Sequence, residues 1–297
     1  MPSFFSSPPD QLDLQARKWH TIFLAEAGVN GIVLKAIEDE VPRLSHDERR
    51  TATRTTRLTL DAYSFRGVPV IASCSAASAR EIPGLCREAA EDGADFALVL
   101  PPTYFQERCS QAEICGFYAA VADASPIPIL VHCHPPPIMG LELDSDTLVQ
   151  LAWNPKIKGC MFACGNVGKL NRVKSAAPDF FCFGGSADCT AGAYGAGADG
   201  AITEVANVAP LTMCRLWTEL EVGEGRMSQN VREMHTTVAR ADWTCFKEGA
   251  STRSALLGYG GGHRGPGSAI SEARMGALKT ELRDLRRIEG LCADGKY

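Results

Sequence analysis

The feature that most restricts this chain is an alternation in which short β-branched or apolar runs are separated by longer amphipathic stretches. Parallel strands joined through helices produce that pattern, because parallel neighbours need a crossover and a helical crossover buries the sheet face. The runs fall at Gly31–Lys35, Pro69–Ser73, Phe96–Leu100, Ile129–Cys133, Ile157–Phe162, Phe180–Gly184 and Gly200–Thr203, and Ser3–Phe5 reads as a truncated first strand. Eight strands suit a closed barrel. The expectation is an α/β fold, a (β/α)8 TIM barrel over residues 1–222, with a C-terminal helical appendage over 223–297 packed on it.

Within that appendage, helical periodicity is expected near Met227–Phe246, Ser251–Leu257 and Ser271–Ile288, broken by the glycine-rich Gly258–Gly267. The glycine run lacks a Gly-Lys-Ser/Thr and follows a helix, so it reads as a connector and not as a phosphate loop. Ser45 with Glu48, and Ser78 with Glu81, have the spacing of capping boxes, in which hydroxyl and carboxylate each satisfy a free backbone amide.

Composition agrees with a single globular unit. The chain has 297 residues, 45% hydrophobic and 22% charged, and barrels of this class run to about 250 residues as one domain. The net charge of −5, with basic residues gathered only in short pairs such as Arg49-Arg50 and Arg286-Arg287, provides no footprint for nucleic acid. The 12 cysteines are scattered, with no C-x-x-C pair, and read as small buried hydrophobes in a reducing compartment. No stretch reaches the roughly 18 apolar residues of a membrane helix, and Met1–Pro9 lacks the basic start and apolar core of a secretory signal. The protein is expected in the cytoplasm, away from membranes.

Several segments, in order, resemble the dihydrodipicolinate synthase and N-acetylneuraminate lyase family of barrel aldolases, especially its fungal hydroxy-oxoglutarate-aldolase-like members. They are Ala27-Gly28-Val29-Asn30-Gly31-Ile32-Val33 followed by Leu44-Ser45-His46-Asp47-Glu48-Arg49, then Pro101-Pro102-Thr103-Tyr104, then Pro126-Ile127-Pro128-Ile129-Leu130. Cys164-Gly165-Asn166-Val167-Gly168-Lys169-Leu170, Gly185-Ser186-Ala187-Asp188 and Ala206-Asn207-Val208-Ala209-Pro210 complete the set. The resemblance implies a Schiff base between a sixth-strand lysine and pyruvate, since an iminium is an electron sink for aldol chemistry. It also implies a fifth-strand tyrosine that moves protons, aided by hydroxyls of a Gly-Thr-Thr-Gly-Glu turn.

This sequence departs from the pattern at each of those parts. Aligned on the resemblance, Met161 occupies the lysine position, and a thioether forms no imine. His132, in His132-Cys133-His134-Pro135, occupies the tyrosine position, and the turn reads Ala36-Ile37-Glu38-Asp39-Glu40, so that only its final glutamate matches. Strand alternation puts His132 and His134 on one side. Histidine titrates near neutrality, which makes His132 the leading candidate for proton transfer, with His134 and Glu38 as partners. Ile37, Met139, Met161 and Ala163 place apolar atoms where the family binds a small charged keto acid, and Pro137 stands near its carboxylate-binding arginine. Tyr104, Ser186 and Ile202 complete the candidate lining, which suits a larger, less polar small molecule. No cofactor and no metal is expected. Tyr104 matches a tyrosine that reaches into the neighbouring subunit's site, implying a homodimer or homotetramer.

The leading expectation is a lyase- or cyclase-like step in specialised metabolism by His/Glu acid–base catalysis without an imine. Two alternatives stay open. One is a non-catalytic relative that binds a metabolite or an active paralogue, and the other is a Schiff-base aldolase that uses Lys35 at the end of the second strand. Lys158 has the wrong parity relative to Met161.

Overall fold

The computed structural model describes residues 1–6, 11–34, 44–76, 78–102, 109–135, 140–259 and 271–297, without the side chains of 245–255. In chain order the elements are α1 (Leu14–Glu26), β1 (Ile32–Leu34), α2 (His46–Ala62), β2 (Val70–Ser73), α3 (Ile82–Glu91), β3 (Phe96–Val99), α4 (Gln111–Ala124), β4 (Ile129–Cys133) and α5 (Ser145–Ala152). There follow β5 (Ile157–Phe162), α6 (Val167–Ala176), β6 (Phe181–Gly184), α7 (Thr190–Gly195), β7 (Gly200–Ala201), α8 (Pro210–Val222), α9 (Gln229–Leu256), α10 (Glu272–Glu281) and α11 (Arg283–Ala293). The expected strand–helix alternation is present. Two compact units arise, Val70–Ile202 and Met1–Pro69 with Thr203–Tyr297.

In the unit Val70–Ile202, strands β2 to β7 pair in parallel, each with the next in sequence. One face of this sheet lies under helices, and the other turns away from them. Cys74, Cys133, Cys160 and Cys182 occupy the helix-covered face and are all nearly inaccessible, as expected of cysteines used as small hydrophobes. Tyr118 of α4 joins that seam by donating its hydroxyl to the Val99 carbonyl at 3.0 Å.

A clasp at the strand starts occurs twice. Gly93 and Gly197, both with φ near +90°, end a helix in the left-handed conformation that glycine adopts without strain. An Ala-Asp pair follows each. The Asp95 N–H donates to the Val70 carbonyl at 2.8 Å, while its carboxylate accepts the Val70 N–H at 2.8 Å. Asp199 treats Cys182 in the same way at 2.8 Å and 2.8 Å, and its carboxylate also takes the Lys174 ammonium. Each aspartate thereby fixes the register between its own strand and the one before.

In the other unit, α1 packs on α2, and α8 packs on α9 and α11. Glu289 of α11 caps α8, accepting the N–H groups of Leu211 and Thr212 at 3.0 and 2.7 Å. Helix N-terminal amides have no partner within their own helix, so this carboxylate ties the C-terminal helix to α8. His20 is buried within the same unit, packed against Phe4, Phe23 and Tyr259 and bonded through Nε2 to Asn207 at 3.2 Å.

Four expectations need correction. Ser3–Phe5 forms no strand; Phe5 makes an isolated antiparallel bridge to Leu12. The Ser45–Glu48 capping box is present, but Ser78–Glu81 forms none, and α3 starts at Ile82 with Pro83 in its first turn. A start at Ser78 would carry Pro83 past the first turn, where its missing N–H breaks a helical bond. The capping box that the sequence reading missed is Ser110 with Glu113, on α4. Helices expected at Met227–Phe246 and Ser251–Leu257 are one continuous α9, and the last expected helix is divided at Leu282 into α10 and α11.

Candidate active site

In a parallel sheet, residues paired in register point to the same side. On the face turned away from the helices, β2 therefore offers Ile71 and Ser73, β3 Phe96 and Leu98, and β4 Leu130 and His132. Strand β5 offers Gly159 and Met161, β6 Phe181 and Phe183, and β7 Gly200. No lysine, arginine, aspartate or glutamate stands among these positions. Across the middle of the face, His132 is in register with Met161, and Met161 with Phe183.

His132 and His134 do project to one side. Their rings stack with centroids 5.2 Å apart at an interplanar angle of 30°. Burial, reinforced by the charge of His134, pushes the His132 imidazole down to about 3. The expectation that His132 titrates near neutrality is therefore corrected, because a ring taken out of water avoids becoming charged. At neutral pH it is an uncharged imidazole that can donate one hydrogen bond and accept another.

Met161 is buried. Ala163 follows β5 and lies against Gly185, where an added methyl would fall 2.7 Å from the Phe162 carbonyl carbon. Ser186 donates its hydroxyl to Asp188 and lies 3.1 Å from the Cys189 sulfur, so it is engaged within its own loop. Ile202 follows β7 and donates its N–H to the Gly184 carbonyl at 2.8 Å. Lys158 is exposed, on the opposite face from Met161, as parity required. Lys35, Ile37, Glu38, Glu40, Tyr104, Pro137 and Met139 lie outside the described residues, as does most of Gly258–Gly267.

Two residues gain importance from the structure. Phe183 sits next to Met161 in register, and strand alternation from Met161 through the β5–β6 pairing was the signal that could have found it. Lys169, at the start of α6, lies on the helix-covered side, with its Nζ 2.6 Å from Glu142 and 4.0 Å from the Cys133 sulfur. Burial opposes its charge, but the Glu142 bond and the neighbouring thiols of Cys133 and Cys164 hold the ammonium above its usual range. It is a structural cation and not a free amine.

Parallel strands, each paired with the next in sequence and joined through helices, are the frame of the α/β barrels. The sequence matches the dihydrodipicolinate synthetase family over residues 7–252, and the chain belongs to that family. It is 38% identical over 292 residues to the Emericella nidulans protein named "Probable 4-hydroxy-2-oxoglutarate aldolase, mitochondrial", covering 97% of this chain and 93% of that one. It is 34% identical to the "L-threo-3-deoxy-hexylosonate aldolase" of Hypocrea jecorina, covering 97% and 94%. A crystal structure of a dihydrodipicolinate synthase family protein from Coccidioides immitis superposes with a TM-score of 0.83 at 27% identity, covering 97% of this chain and 94% of that one. The 4-hydroxy-tetrahydrodipicolinate synthase of Methylacidiphilum fumariolicum shares the fold at a TM-score of 0.86 and 23% identity, over 99% and 96%. The fold is the α/β barrel of this family, and the chain is an aldolase-family enzyme. Among the described residues no helix is long and apolar enough to cross a membrane.

Proposed function

We propose that this chain is a lyase- or cyclase-like member of its family that works without an imine on a small molecule less polar than a keto acid. The observation that carries this reading is the row His132, Met161, Phe183. By resemblance Met161 occupies the position of the imine-forming lysine, and its neighbours on the row supply no amine. A neutral His132 would hold or polarise a substrate oxygen, while His134 and Glu38 complete the proton path. Ile37, Tyr104, Met139, Met161, Ala163, Ser186 and Ile202 are the residues assigned to binding. Orientation of a reactive substrate can itself lower a barrier by several kcal/mol, so the step requires no covalent residue. The names of the fungal relatives fit carbon–carbon bond chemistry as the starting point from which this site diverged.

Borohydride trapping with pyruvate, read by intact mass, tests the reading. The wild-type protein is expected to gain no reduced pyruvyl group, and Met161→Lys is expected to gain one. A wild-type adduct would sink the imine-free reading, and an adduct on Lys35 would favour a relocated Schiff base. We also assign the protein to the cytoplasm as a homodimer or homotetramer, with the barrel ending near residue 222 and 223–297 forming its helical extension. The free thiols of the described residues accord with a reducing compartment.

A further inference from the structure

The row that replaces the imine chemistry also restricts what can lie on it. We propose that its ligand is an uncharged aromatic carbonyl compound whose ring rests against Phe183 and Met161 and whose oxygen bonds to His132. This rests on the imine-free reading above and adds the substrate class.

Charge restricts the ligand first. Among the described strand positions of this face, β2 to β7 supply no ammonium or guanidinium to pair with a carboxylate, whose burial without a charged partner carries a high desolvation cost. A neutral carbonyl oxygen needs only one hydrogen bond, and neutral His132 can donate one.

Shape restricts it further. Phe183 is flanked by Gly200, where an added methyl would fall 3.2 Å from the ring's Cδ1 and 3.4 Å from its Cε1. Only a bare backbone lets the ring lie flush with β7. Phe181 holds the ring's orientation from the other direction, with centroids 6.2 Å apart and planes within 18°. On the far side of Met161 the two imidazoles form a second stack. Flat groups thus stand at both ends of the row, with a polarisable thioether between them. Such walls favour a flat, polarisable ring through stacking and sulfur–aromatic contacts, which a saturated ligand of equal size does not gain. The preference amounts to about two- to tenfold in affinity.

The test uses the full chain labelled with 13C-methyl methionine, in which Met161 is one of 7 methionines and is identified by the resonance lost in Met161→Leu. Acetophenone, cyclohexyl methyl ketone and pyruvate are titrated separately. Acetophenone is expected to move the Met161 resonance saturably, with an affinity about two- to tenfold above that of the cyclohexyl ketone. Phe183→Leu should abolish the difference, and Phe183→Tyr should keep it. Pyruvate should leave the resonance in place.

An unmoved Met161 resonance, equal affinities for the two ketones, or saturable pyruvate binding would each overturn the proposal. If Phe183→Leu does not fold, the two ketones on the wild-type protein still decide. The two readings fail separately. A borohydride adduct with pyruvate removes the imine-free reading, whereas no adduct together with an indifferent Met161 removes only the aromatic substrate class.

Discussion

Lowering the pH from 7.5 to 5.0 should destabilise this protein far more than its carboxylates can explain. His20 and His132 are both buried, and burial pushes each down to about 3. An unfolded histidine titrates near 6.5, so below that value the unfolded chain binds protons that the folded chain refuses. Stability is fully present above about pH 6.5 and falls as pH drops, levelling only near the folded value. At pH 5.0, about 1.5 units below the unfolded pKa, each ring costs about 2 kcal/mol, or about 4 kcal/mol for the pair. That is a large share of a typical stability of about 5–15 kcal/mol. The figure depends only on the folded values lying well below 5. Glu142 and Asp144, held low by their bonds to Lys169 and Thr147, lose their contribution only at more acid pH and stay outside this window. Urea unfolding at the two pH values, followed by circular dichroism, measures the change. His132→Phe should remove about half of the pH dependence. A difference under about 1 kcal/mol between the two pH values, or an unchanged slope in His132→Phe, would refute the claim that these rings are held neutral.

Two further predictions concern the frame. Gly159→Ala should cost about 3 kcal/mol, since the new methyl would meet the Phe181 backbone and fall 2.7 Å from the Phe181 Cβ; a melting temperature within about 1 °C of wild type would contradict the close β5–β6 approach. Asp199→Ala should cost about 1–3 kcal/mol by leaving the Cys182 N–H without its acceptor, with faster amide exchange at Cys182 as the local signature.

The strand positions were legible because apolar runs report burial directly, and Ile129–Cys133 and Ile157–Phe162 match their expected limits. Ser3–Phe5 misled because its apolar residues pack without a ladder, a distinction that composition does not encode. Ser78–Glu81 misled because a spacing rule ignored Pro83. The shared side of His132 and His134 followed from alternation alone. The protonation state of His132 did not, since it depends on how completely the neighbouring strands exclude water. Phe183 was missed because its place beside Met161 is a property of strand register, which no single run of residues carries.

The paired aspartate clasps at Asp95 and Asp199 bear on how such a pocket could change at all. Both stand where their strands begin, whereas chemistry in barrels of this kind is carried at the strands' other ends. At these two strand pairs alignment is set locally, by a Gly-Ala-Asp turn that makes no use of the residues on the opposite face. Residues farther along these strands can therefore vary in chemistry while the clasps go on aligning the same strand starts.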